Sequence, residues 1–84
     1  MTVMDDQIID LILDGYDTAP KITCKLMGLP YTEPKTLPYD LYCEYTNLYN
    51  KIIRRLQKLL KWHDIEIAGG IGIANEPRTF RVVA

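Results

Sequence analysis

From Tyr39 to Ala68 the chain runs without a single glycine or proline, between a proline-rich stretch and a glycine-rich one. No other feature limits its fold so strongly. The central part of this run is rich in good helix formers and predicts a long helix over about 39–62. At 100° per residue, Leu41, Tyr45, Leu48, Ile52, Leu56 and Leu59 fall within roughly 80° of one another, and Tyr42, Tyr49, Ile53 and Leu60 widen the arc. The opposite arc gathers Asn47, Asn50, Lys51, Arg54, Lys58 and Lys61 with no acid among them. A merely solvated helix face usually interleaves both signs. The residues leave open whether 39–44 belong to the same helix or form a separate turn before an N-cap at Thr46.

The flanking segments read as shorter elements. Met4, Ile8, Leu11 and Ile12, with Ile9 and Leu13 beside them, make an amphipathic helix over about 3–14. Thr2 and Asp5 fit a capping box at its start, Asp6, Asp10 and Asp14 take the outer side, and Gly15 supplies the stop. A second helix is expected over about 18–28, capped by Asp17 or Thr18, with Pro20 in its first turn and Gly28 at its end. Ile22, Leu26 and Leu29 form its apolar stripe, with Cys24 and Met27 beside it. Pro30, Pro34 and Pro38 then predict an extended loop over 30–38. Beyond the long helix, Ile65 and Ile67 alternate with Glu66. Three glycines follow, and Thr79 to Val83 read as a second strand, so a β-hairpin is expected over about 64–83.

At 84 residues the chain has room for one domain, 1–84, with one modest core and no separate catalytic module. No apolar run approaches the roughly 18 residues a bilayer span needs. The N-terminal stretch carries acids where a signal peptide carries Lys or Arg, so a cytoplasmic location with no membrane partner is expected. The net charge of -1 conceals an asymmetry. Residues 1–48 hold eight acids against three bases, and residues 49–84 hold seven bases against three acids. A basic second half suggests a polyanionic partner. Cys24 and Cys43 have no C-x-x-C spacing, and His63 is the only histidine in the chain. No metal or other cofactor is therefore expected, and the thiols are read as core fillers.

Three stretches carry a resemblance. IIDLILDG (Ile8 to Gly15), TAPKITCKLMGL (Thr18 to Leu29) and IIRRLQKLLKWHDIEI (Ile52 to Ile67) resemble the first helix, the second helix with its closing glycine, and the recognition helix running into the first wing strand of winged helix-turn-helix DNA-binding domains. Together they cover most of the chain. Ile52, Leu56, Leu59 and Ile65 occupy that family's apolar positions, and Arg54 and Arg55 stand where it often has a basic pair. Two features depart from the pattern. Pro30 to Pro38 lengthen the turn before the third helix, and His63 replaces a glycine common between helix and wing. The resemblance implies an α+β, mainly α fold of three helices followed by a C-terminal hairpin wing. It also implies sequence-specific binding of double-stranded DNA by a small transcriptional regulator, expected to act as a homodimer.

On that resemblance Asn47, Asn50 and Lys51 face base edges in the major groove, where amides suit adenine and lysine suits guanine. Arg54, Arg55, Lys58 and Lys61 contact phosphates, and the loop around Gly70, Asn75 and Arg78 reaches a neighbouring phosphate or the minor groove. The alternative function is a protein-interaction module that binds through the acidic first helix or the tyrosine-rich surface, with no DNA. Tyr39, Tyr42, Tyr45 and Tyr49 are read as flanking the core, and any ring left exposed, together with Tyr31, as partner surface. GGIGIA (Gly69 to Ala74) lacks the G-K-[ST] and following helix of a phosphate-cradling loop. His63 has no serine or cysteine pattern around it and the acids cluster on the first helix, so no catalytic role is expected.

Overall fold

The computed structural model describes residues 3–29, 37–72 and 77–83. Three helices, α1 (Val3–Leu13), α2 (Ala19–Leu26) and α3 (Tyr39–Lys61), precede an antiparallel pair, β1 (Ile65–Gly69) and β2 (Thr79–Val82). The fold is α+β and mainly helical. Residues 39–44 belong to α3, so the long helix is continuous and Thr46 lies inside it. At 1.5 Å per residue α3 is about 35 Å long, close to the molecule's longest dimension of 38 Å.

The core forms where the apolar stripes meet. Ile8 and Ile12 from α1, Ala19 and Ile22 from α2, Ile52, Leu56 and Leu59 from α3, Ile65 from β1 and Phe80 from β2 make one buried cluster. Burying an Ile or Leu side chain stabilises by about 2 kcal/mol, so Ile52, Leu56 and Leu59 anchor the C-terminal part of α3 while its first turn stays open. Tyr45 is buried and stacks on Tyr49 at 5.8 Å between centroids. Tyr39 and Tyr42 are exposed, which leaves the tyrosine row divided between core and surface. Tyr31 lies outside the described residues.

Thr18 caps α2 by accepting the Lys21 N–H at 3.3 Å, and Pro20 sits in the first turn as expected. The Asp17 carboxylate instead meets Lys21 Nζ at 3.4 Å, while its backbone carbonyl accepts the Phe80 N–H at 2.8 Å. That bond ties the hairpin to the α1–α2 connection. Within α2 the Thr23 hydroxyl is buried and donates to the Ala19 carbonyl at 2.7 Å, as a polar group in a core requires. In the hairpin Ile67 pairs with Phe80 and Gly69 with Thr79, so a bulge falls between Ile67 and Gly69.

All three helices stop in the same way. Gly15, Gly28 and His63 adopt left-handed backbones, with φ of 102°, 71° and 62°. After α3 the Asp64 N–H donates to the Leu59 carbonyl at 3.0 Å and the His63 N–H to the Leu60 carbonyl at 3.1 Å. These two bonds make a Schellman motif, and the same pair recurs after α1 through Tyr16 and Gly15 and after α2 through Leu29 and Gly28. A side chain in that conformation costs about 1 kcal/mol. His63→Gly should therefore stabilise the fold by about 1 kcal/mol and raise Tm by roughly 5 °C. Gly28→Ala, whose added methyl would meet nothing within 4 Å, should destabilise by a similar amount. Thermal melts followed by circular dichroism check both.

Candidate nucleic-acid interface

The predicted site residues divide into three groups. Asn47, Asn50, Lys51, Arg54, Lys58 and Lys61 are all exposed on one face of α3, because the stripe ending in Leu59 holds the opposite face inward. Lys51, Arg54, Lys58 and Lys61 line one shallow concavity with Met4, Arg55 and Gln57. Asn47 and Asn50 continue the face one turn towards the N-terminus of α3. Arg78 stands apart on the hairpin, beside a second and largely apolar concavity formed by α2, α3 and the hairpin. Asn75 lies outside the described residues.

Gln57 borders both concavities, so the α3 cations and Arg78 lie to either side of it. Its exposed amide can donate and accept at once, as a base edge demands. Composition offered no reason to single it out. Its bearing on the helix, about 60° from Arg54 at 100° per residue, was the available signal. The Arg78 side chain lies across Gly72, where an added Cβ would come within 3.2 Å of Nε. Arg81, on β2, pairs instead with Glu66 across the hairpin.

Arg55 is engaged within the fold. Its Nε donates to Asp5 Oδ1 at 2.7 Å and its Nη2 to Oδ2 at 2.5 Å, a bidentate pair joining α3 to α1. Asp5 is fully buried in the first turn of α1. Thr2 lies outside the described residues. Donation to the Asp5 carboxylate is the main cause that raises the Arg55 pKa above its ordinary value, against the desolvation that lowers it. Arg54 and Arg55, neighbours in sequence, point about 100° apart on the helix, one to solvent and one to α1. The guanidinium of Arg55 also lies over the Trp62 ring, 5.9 Å from its centroid.

No family model, curated protein or solved structure matches the chain. The functional argument therefore rests on its own geometry. Among the described residues no ion pair holds Lys51, Arg54, Lys58 or Lys61, and no group of three or more His, Cys, Asp or Glu is arranged to hold a metal ion. No helix there is long and apolar enough to cross a membrane. Cys24 is buried and Cys43 half-buried, both as free thiols.

Removing either member of the α1–α3 pair takes a charge-assisted partner from a group folded around it. Arg55→Ala should lower the urea midpoint markedly, and Arg55→Lys should restore it only in part, because an ammonium cannot reproduce the two-pronged contact. Arg54→Ala, on the solvent side, should change stability by no more than about 0.5 kcal/mol.

Proposed function

We propose that this chain is a winged-helix DNA-binding domain, a small transcriptional regulator that lays α3 in the major groove of a duplex and sets its hairpin, as the wing, on the neighbouring backbone. One observation carries the proposal. Along α3 the cations are neighbours only of cations or neutral groups: Lys51 faces Arg54 at i+3, Arg54 faces Lys58 at i+4, and Lys58 faces Lys61 at i+3. Each like-charge pair at such spacing costs a helix about 0.2–0.5 kcal/mol. The nearest acid on the same arc, Glu44, is seven residues before Lys51, about 10 Å along the axis, and surface charges that far apart are largely screened. A row of self-repelling cations is stabilised by a polyanion, and phosphates spaced along a duplex match it.

In this arrangement Lys51, Arg54, Lys58 and Lys61 supply backbone contacts and affinity, while Asn47, Asn50 and Gln57 are the groups that distinguish bases. Arg78 adds a contact from the wing, across Gln57 from the helix. Asp17 supports the geometry by fixing the base of the wing through the Phe80 N–H. Arg55 is left out of the DNA-contacting set, because its guanidinium is committed to Asp5. A homodimer suits a module of this size, whose single interface offers few contacts.

The second concavity favours a different function, that of a protein-interaction module. It is lined by Pro20, Tyr49, Ile53, Leu60, Pro77 and Phe80, and the exposed Ile71 stands at its edge. A partner seated there would cover Gln57 and Arg78 and leave the cation row open, so light scattering detects the partner surface and DNA titration the cation row.

Fluorescence anisotropy with a labelled duplex over a salt series tests DNA binding. Affinity should fall with salt at a log-log slope of about -4, and Arg54→Ala and Lys58→Ala should each flatten it by about one unit. Arg55→Ala, if folded, should leave the slope unchanged. Binding indifferent to salt, or slopes unaffected by Arg54 and Lys58, would exclude the proposal.

A further inference from the structure

The side chain of Trp62 is large, aromatic and half exposed, at 50% of its accessible area, and it stands at the C-cap of α3 beside the last cations. An isolated exposed ring is ordinary on a protein surface. This one is held. Helical Cβ atoms tilt towards the helix N-terminus, which brings the ring back along α3 to Arg55, two turns earlier, at 5.9 Å from the guanidinium carbon. Arg55 is fixed in turn by two hydrogen bonds to Asp5, which is completely buried in α1. A buried carboxylate thus holds a guanidinium, and the guanidinium holds an exposed indole. That contact, of about 0.5–1 kcal/mol at an exposed site, favours one placement of the ring before any partner arrives.

Its position adds to this. At 100° per residue Trp62 lies about 20° from Lys51 and about 40° from both Lys58 and Leu48, so it stands at the edge of the cation row, where that row borders the apolar stripe. Bearing on one face a cation, which draws on the ring's π electrons, the indole is better suited to lie near anionic groups than a bare aromatic ring, and its N–H is a donor a phosphate oxygen can accept. We propose that Trp62 is a nucleic-acid contact at the C-terminal end of the α3 face, packing its ring on a sugar and donating its N–H to the adjoining phosphate, with Asp5 and Arg55 as positioning residues. The inference rests on the DNA-binding function above and adds an apolar contact to an interface otherwise made of charges and amides. Tryptophans placed in this way are frequent among residues that dominate binding energy, because less freedom remains to be lost on contact.

Trp62 is the only tryptophan, so its fluorescence reports on the site directly. A mixed-sequence 20-base-pair duplex titrated into the wild-type chain should quench or shift that emission. Trp62→Ala should weaken duplex binding about tenfold with the salt slope unchanged, and Trp62→Phe, which keeps a ring, should recover part of the loss. Circular dichroism establishes that each variant is folded, and Trp62→Phe provides the comparison should Trp62→Ala not be. Arg55→Lys, which keeps the charge and releases the ring, should reduce the fluorescence response at an unaltered salt slope. Unchanged emission on saturation, together with wild-type affinity in the Trp62 variants while Lys58→Ala still flattens the slope, overturns this inference alone. A flat salt dependence in the wild-type chain overturns the DNA-binding function and the Trp62 contact with it.

Discussion

The burial of one side of α3 is the constraint on which the rest of the molecule depends. Ile52, Leu56 and Leu59 are almost completely inaccessible, and α1, α2 and the hairpin contribute their own apolar residues to the same cluster. At about 2 kcal/mol for each such side chain, rotating the helix would cost far more than the few tenths of a kcal/mol that each cation pair loses by facing another cation. The core therefore sets the bearing of α3, and the polar arc has no choice but to face solvent. The repulsion along that arc is tolerated by the folded chain because packing on the other side outweighs it.

Periodicity made most of this legible in the sequence. The spacing of Ile8 and Ile12, of Ile22 and Leu26, and of Ile52, Leu56 and Leu59 identified the helices and the sides they bury, and Gly15 and Gly28 marked the ends of the first two. The end of α3 was less evident, because the left-handed position there is filled by His63, a residue that tolerates it at a cost and carries no glycine's signal. The continuity of α3 through residues 39–44 was undecidable from composition. Tyrosine and cysteine are middling helix formers, and it is the capless start at Pro38, whose carbonyl accepts the Tyr42 N–H at 2.8 Å, that settles it.

The candidate site was legible in its exposed part and illegible where it depends on a contact between distant segments. Lys51, Arg54, Lys58 and Lys61 could be placed together because helix geometry alone determines their bearing. Asp5 and Arg55 are separated by fifty positions, and nothing local points either one at the other. Asp5 reads only as part of a cap, and Arg55 only as one of a basic pair. Only the approach of α1 to α3 converts one acid and one base into a partly enclosed pair, and it does so at the flank of the cation row, where Arg55 reaches Trp62 as well. Gln57 was passed over for the opposite reason, since a neutral side chain carries no weight in an argument from charge.

The N-terminal end of α3 adds a second electrostatic feature. Asp40 shares the bearing of Lys58, because a separation of eighteen positions makes five turns, and Glu44 is about 20° from Lys51. The polar arc therefore passes from acid to base along one helix. That order suits the helix dipole, which favours acids in the first turn and bases in the last, and it accounts for Asp40 and Lys61 without any ligand. It does not account for Lys51 and Arg54. The dipole's effect fades within a turn of each end, and these two lie seven to ten residues before the C-terminus of α3, next to other cations. They are the positions at which intramolecular stabilisation is weakest and a bound anion would contribute most. The acidic end, by the same logic, would repel a phosphate backbone running along the whole helix. Under the proposed function a duplex would be directed towards the C-terminal half of α3, where Arg78 lies to one side beyond Gln57 and Trp62 stands at the end.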